Sequence, residues 1–216
     1  MSQSTPIGAV TNHTLVSCIG ELSLPDFDDL TNCTHIATRS ADLAHPRFAN
    51  SEYWLDEYVR TLMFFGWSLH EGAITTRTRI DMSGSIADYL VRSAHTMSDP
   101  RQGNAMIDTL DALKPDRPAV QSLDDESLKG RRFQVTPSRY DSRGNLHLAV
   151  FDLELVAQAQ KSSFLFWPWE TRSATLIQRR AFLKLNRDLL DTKRPLLASK
   201  LNEQVMKRFA LRKRTP

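Results

Sequence analysis

Apolar positions in the first half of the chain recur every three or four residues. Leu55, Tyr58, Val59, Leu62 and Phe65 form one such stripe, the spacing that places side chains on a single helical face. Asn50 or Ser51 can cap this helix, and Glu52, Asp56 and Glu57 fall in its opening turns, where acids suit the helix dipole. Gly66 is a natural stop. Ser85 with Asp88 three residues on reads as a capping box. It opens a second helix with Ile86, Leu90, Ala94 and Met97 on one face. Asp99-Pro100 starts a third, whose stripe is Met106, Ile107, Leu110 and Leu113 and whose end is Lys114-Pro115. A long final helix over about 187–211 turns Leu190, Leu197, Leu201, Val205 and Phe209 inward, with Pro195 kinking it or marking its start.

Beyond residue 130 the period falls to two. Phe133, Val135 and Tyr140 lead into the turn 141–145, and apolar residues then run through 146–156, which predicts a hairpin. Residues 163–169 and 174–185 are expected to add antiparallel strands. Earlier, 14–19 reads as a short strand, 73–80 as an exposed one and 21–29, with Pro25 and its acids, as a loop. The Thr-rich stretch 31–39 is ambiguous, and His45-Pro46 disfavours helix at His45. Residues 115–130, with two prolines and the acidic run 124–126, read as a polar connection and the place for an internal boundary. The expectation is one α+β domain over 1–216: a helical N-terminal half packed on an antiparallel sheet from the C-terminal half, closed by the long C-terminal helix. Flexible ends are expected at 1–12 and 212–216.

Charge changes the picture more than composition does. With 216 residues, 41% of them apolar, the chain can bury a sizeable core. No run reaches the ~18–20 apolar residues of a membrane helix, and the first ten residues show no secretory pattern. A cytoplasmic protein follows, with non-classical secretion as the route if it leaves the cell. Two cysteines, Cys18 and Cys33, are too few for a disulfide scaffold and are expected as free thiols. Residues 172–216, however, hold thirteen Lys/Arg and three Asp/Glu, a net of +10 against −7 for the remainder. Such polarity suits an anionic or acidic partner.

The chemical motifs are sparse. Neither a nucleophile elbow nor a glycine-rich phosphate loop occurs. Cys33, His35, Cys18 and His45 lack the pair spacing of zinc sites. A metal-dependent nuclease frame would use Asp116, Glu126 and Lys129, but one residue too many separates acid from lysine, and the frame lies in a proline-bracketed segment. No catalytic, cofactor or metal site is therefore expected. Two clusters remain. The run Phe164-Leu165-Phe166-Trp167-Pro168-Trp169 is a buried strand or an aromatic edge for a partner. The basic series includes Arg179, Arg180 and Arg187. The partner-binding candidates are thus Arg179, Arg180, Arg187, Trp167 and Trp169, and the expected function is non-enzymatic binding of a protein partner or self-association. The alternative is a nucleic-acid-binding protein or a metal-dependent nuclease using the basic C-terminal surface, although no nucleic-acid-binding signature accompanies the basic residues.

Three stretches, Thr34 to Asp42, Met97 to Asp108 and Ser162 to Trp167, resemble the small bacterial accessory proteins encoded beside α-pore-forming toxins of the Mak type, the MakC and MakD proteins. The likeness covers nearly the whole chain. It implies a non-enzymatic protein made with a multi-component cytotoxin, whose partners would be the toxin components. It assigns no functional residue.

Overall fold

A computed structural model describes residues 8–19, 22–49, 51–70, 74–95 and 100–212. Of the ends expected to be flexible, 1–12 and 212–216, residues 1–7 and 213–216 lie outside the described residues while 8–11 form a strand; Met97 and the side chains of Ala94, Val205 and Phe209 also lie outside. The elements run β1 (Gly8–Thr11), β2 (Thr14–Ile19), α1 (Leu24–Ala44), α2 (Ser51–Phe64), β3 (Trp67–Leu69), β4 (Thr75–Asp81), α3 (Ile86–His95), α4 (Pro100–Leu113), α5 (Arg117–Glu126), β5 (Phe133–Tyr140), β6 (Leu146–Ala157), β7 (Ala174–Leu185) and α6 (Arg187–Arg212). This is an α+β fold.

The chain divides into two compact units, 1–27 with 69–184, and 28–68 with 185–216. The sheet has the strand order β1-β2-β5-β6-β7-β3, with β4 also on β7. Its pairs are antiparallel except β2 with β5, which run parallel. The sheet is therefore mixed and takes strands from both halves of the chain. Strand β2 stands where 14–19 read as a short strand, whereas β1 escaped notice because it is four residues long and folds onto β2 through a two-residue turn. Asn12 adopts a positive φ of 54° there, which asparagine tolerates better than most residues.

One face of this sheet carries Leu15, Phe133, Val135, Phe151, Leu153, Leu155 and Leu176. They share a core with Ile86 and Leu90 of α3, Met106, Leu110 and Leu113 of α4, and Val120 and Leu123 of α5. Full burial of each such aliphatic or aromatic side chain contributes about 1.5–3 kcal/mol. Ile107, expected inside, stands 36% exposed. The capping box of α3 forms as its sequence requires: Ser85 N–H donates to the Asp88 carboxylate at 3.0 Å, and Asp88 N–H donates to Ser85 Oγ at 3.1 Å.

The stretch 115–130 is not a polar connection. It contains α5, capped by Asp116, whose carboxylate accepts the Ala119 N–H at 3.1 Å, and Pro118 lies in the first turn, where its missing N–H costs nothing. The acidic run 124–126 is the last turn of a helix that buries Val120, Leu123 and Asp124, whose carboxylate accepts the Ser163 N–H. Leu128, Lys129 and Gly130 then take positive φ in succession (50°, 54° and 84°). At Gly130 a Cβ would lie 2.3 Å from the Phe164 ring, so the glycine is required by packing as well as by φ.

In the second unit α2 spans the expected range, with Leu55, Tyr58, Val59, Leu62 and Phe65 all buried. The loop expected at 21–29 is instead the start of α1. Ser23 Oγ accepts the Asp26 N–H at 3.3 Å and Pro25 sits in the first turn, so the residues read as loop punctuation are an N-terminal cap. Leu30, Cys33, Ile36, Ala37 and Ala41 make its buried stripe, and it stops at Ala44, just before His45-Pro46. Helix α6 passes through Pro195 and buries Leu190 and Leu197, while Leu201 is half-buried. Asn186 caps it, its side-chain oxygen accepting the Leu189 N–H at 3.1 Å.

Candidate interaction site

Successive residues of a strand point to opposite faces, so the neighbouring arginines of β7 part company. Arg179 pairs across the sheet with Asp152, and Arg180 pairs with Phe151. Arg180 therefore shares the face that bears the first unit's core, and Arg179 shares the reverse face.

On Arg180's side, one end of the sheet is only half-buried and basic. Arg139 of β5, His147 of β6 and Lys184 of β7 are directly opposite one another in register, which brings Cβ atoms of neighbouring strands to about 4.5–5.5 Å. Two and four residues back along β7 come Phe182 and Arg180, with the guanidinium 5.4 Å from the centre of the Phe182 ring. Phe182 in turn meets Phe151 edge-to-face at 6.3 Å. His70 completes the group: its backbone N–H donates to the Phe182 carbonyl at 2.8 Å, and its ring meets that of His147 edge-on at 5.1 Å. Three permanent cations, two imidazoles and one aromatic thus lie along a single strip.

His147 is bonded to the carboxylate of Asp141. That carboxylate sits 3.1 Å from His147 Nε2 and also accepts the backbone N–H groups of Arg143 and Asn145, each at 2.8 Å. Those bonds from the turn, the Asn145 side chain first among them, hold Asp141 well below the usual carboxylate range. His147 is held below its ordinary value, chiefly by burial, against the opposing pull of Asp141.

The reverse face carries a buried polar row. Thr14, Gln134, Asp152 and Arg179 stand opposite one another on β2, β5, β6 and β7. Arg132, only 1% exposed, closes on Asp152 with two bonds, Nε to Oδ1 at 3.0 Å and Nη2 to Oδ2 at 2.7 Å. Arg179 reaches the same Oδ2 from 3.5 Å. Arg179 is thus committed to an interior ion network.

The remaining candidates separate as well. Residues 163–169 form turns, not a strand, because Ser163 adopts a positive φ and the backbone folds back on itself, with Trp167 N–H donating to Ser163 C=O at 3.1 Å. Phe164 and Trp169 are buried. Phe164 packs edge-to-face on Phe133 at 4.8 Å, and the Trp169 indole N–H donates to the Phe164 carbonyl at 3.3 Å. Phe166 is half-buried, and Trp167 is 42% exposed with the Lys161 ammonium 4.9 Å from its ring. Arg187 opens α6 in the second unit. Of the five candidates, Arg180 lies in the strip and Trp167 is presented outward elsewhere. Arg139, His147, Phe182 and His70 were missed as a group because only strand register assembles them.

Cys18 and Cys33 are free, buried thiols. Burial pushes Cys18 up to about 11 and Cys33 up to about 12. Among the described residues no group of three His, Cys, Asp or Glu could hold a metal ion. Of the nuclease frame, Asp116 serves as the α5 cap and Lys129 lies in the left-handed segment beyond it. No helix of the described residues is long and apolar enough to cross a membrane.

No protein-family model matches the chain, and no curated protein matches it. Its fold is similar to solved structures. One is a delta-endotoxin, at a TM-score of 0.50 and 9% identity, over 86% of this chain and 88% of that one. Another is the Evf virulence factor, at a TM-score of 0.42 and 6% identity, over 95% and 85%.

Proposed function

We propose that this protein is a non-enzymatic, toxin-associated binding protein that captures an acidic protein partner through the strip Arg139–His147–Lys184 with Arg180 and Phe182. The observation that carries the reading is the cross-strand row itself. The row gathers Arg139, His147 and Lys184 on one face of three neighbouring strands, a concentration of basic groups that suits a carboxylate-rich surface. The half-buried Phe182 supplies an apolar surface beside them, the mixture that interfaces favour. The fold shared with a delta-endotoxin and the resemblance to toxin-associated accessory proteins both support a toxin-related setting.

The test is capture of the partner from the native host by tagged protein. Reversing Arg180 and Lys184 to Glu should abolish capture while circular dichroism shows the fold retained. Raising salt from 0.1 to 1 M, which shortens the Debye length from ~10 to ~3 Å, should weaken it. Capture that survives both would overturn the reading. A single-stranded nucleic acid is the second reading, favoured by the stacking of Arg180 on Phe182. Loss of the captured material on nuclease treatment would establish it instead.

A further inference from the structure

At one corner the sheet stops being fully paired, and a cavity opens there. Strand β6 keeps its neighbour on β7 as far as Ala157 opposite Ala174, but on the β5 side the register ends at Leu153 opposite Phe133. Regular pairing would continue with Arg131 opposite Leu155. Instead Leu155 N–H donates to Gly130 C=O at 3.1 Å, and Arg131 N–H turns back to Leu128 C=O at 3.3 Å. The left-handed run Leu128, Lys129 and Gly130 carries the chain out of the lane that β5 occupies. That lane holds a cavity of about 320 Å³, whose walls include Lys129, Arg131, Glu154, Val156, Ala157 and Gln160. Its size is within the range of ligand sites.

We propose that this slot takes an extended peptide segment, which adds a short strand beside Leu155 and Ala157. The backbone selects that occupant. In an antiparallel strand the N–H and C=O of one residue point the same way, and alternate residues agree. Leu155 N–H faces the slot side, so Leu155 C=O and the N–H and C=O of Ala157 face it too. The neighbour on β7 is turned away, because Ala174 C=O accepts the Met82 N–H at 3.0 Å on its far side. Among the described residues the Ala157 N–H and the Leu155 C=O make no hydrogen bond. A donor and an acceptor set along a strand edge match another backbone, which is how sheets bind peptides by strand addition.

Charge does not choose the occupant, since Lys129 and Arg131 share the walls with Glu154. Val156, 51% exposed, stands between the two free groups and suits β-branched cross-strand neighbours. The slot lies at the opposite end of β6 from His147, so it is independent of the basic strip.

The probe is the blocked peptide acetyl-Thr-Val-Thr-Val-Thr-amide, titrated to millimolar concentration into the isotopically labelled full chain and followed by NMR. The amides of 154–157 should shift. The Ala157 amide should exchange with solvent quickly in the free chain and more slowly with the probe bound. Ala157→Pro deletes the donor where no bond is lost, at an edge position that tolerates proline. It should weaken the probe about tenfold, whereas Ala157→Ser keeps the N–H and should bind as the wild type does. Melting curves check that both variants fold. The probe N-methylated at every residue should fail to bind the wild-type chain, an arm that needs no variant. Unshifted amides at 154–157, full affinity in a folded Ala157→Pro variant, or equal binding of the N-methylated peptide would each overturn the proposal. Protection of Ala157 that grows with protein concentration and needs no probe would assign the edge to a second copy of the chain and overturn it too.

Discussion

Removing Asp152 should cost more stability than removing either arginine it holds. The carboxylate is 1% exposed and receives two bonds from Arg132 at 3.0 and 2.7 Å and one longer contact from Arg179 at 3.5 Å. Asp152→Ala removes the carboxylate that two interior guanidiniums share. Breaking a buried pair from one side costs about 3–5 kcal/mol, and the loss of a partner by two cations at once places this case at the upper end. Arg132→Ala strands only Asp152, which keeps Arg179, so about 2–4 kcal/mol is expected. The Arg179 side chain is 11% exposed and its contact is long, so Arg179→Ala should cost about 1 kcal/mol. For a chain of this size each kcal/mol moves the melting temperature by about 2–4 °C, so Asp152→Ala should lower it by roughly 8–20 °C. Urea midpoints and calorimetry would give the order directly, and an Arg132→Met/Asp152→Leu pair should recover most of the loss. If Arg179→Ala proved as costly as Asp152→Ala, or Asp152→Ala cost under about 1 kcal/mol, the reasoning from burial and bond length would fail.

Two further outcomes follow from the interior. Phe164→Ala should cost about 3–5 kcal/mol, because that ring is fully buried against Phe133 and Gly130, whereas half-buried Phe166 should cost less than half as much when truncated. Equal melting temperatures for the two variants would contradict the packing described. Cys18 and Cys33, both enclosed and with proton affinities raised by burial, should resist alkylation in native protein at pH 8 and react on unfolding, read by mass spectrometry.

Where a segment's periodicity and punctuation agreed, the sequence was sufficient. Helix α2 with its Gly66 stop, the Ser85–Asp88 cap, the hairpin around Gly144 and strand β7 all stand at the places their patterns require. The failures came from residues with two meanings. Proline and acidic residues at 21–29 and 115–130 looked like loops, yet both segments are helix starts in which Pro25 and Pro118 fit the first turn. The aromatic run 163–169 has strand composition, but the left-handed Ser163 folds it back and buries Phe164 and Trp169 while leaving Trp167 outside. The candidate site was legible only as a charge excess. Register across β5, β6 and β7 decides which basic residues meet, and it depends on long-range pairing that no local pattern encodes.

The opposed fates of Arg179 and Arg180 make β7 behave as a reading frame. One residue gained or lost at its start would exchange the two faces of every position after it. The interior network would then be offered Arg180, and the strip would be left with Arg179. No single substitution has that effect, and no substitution on the surface can correct it. The strand should therefore accept changes of side chain far more readily than changes of length. Insertions and deletions should collect instead in the loops at its ends, while the twelve residues of β7 keep their number.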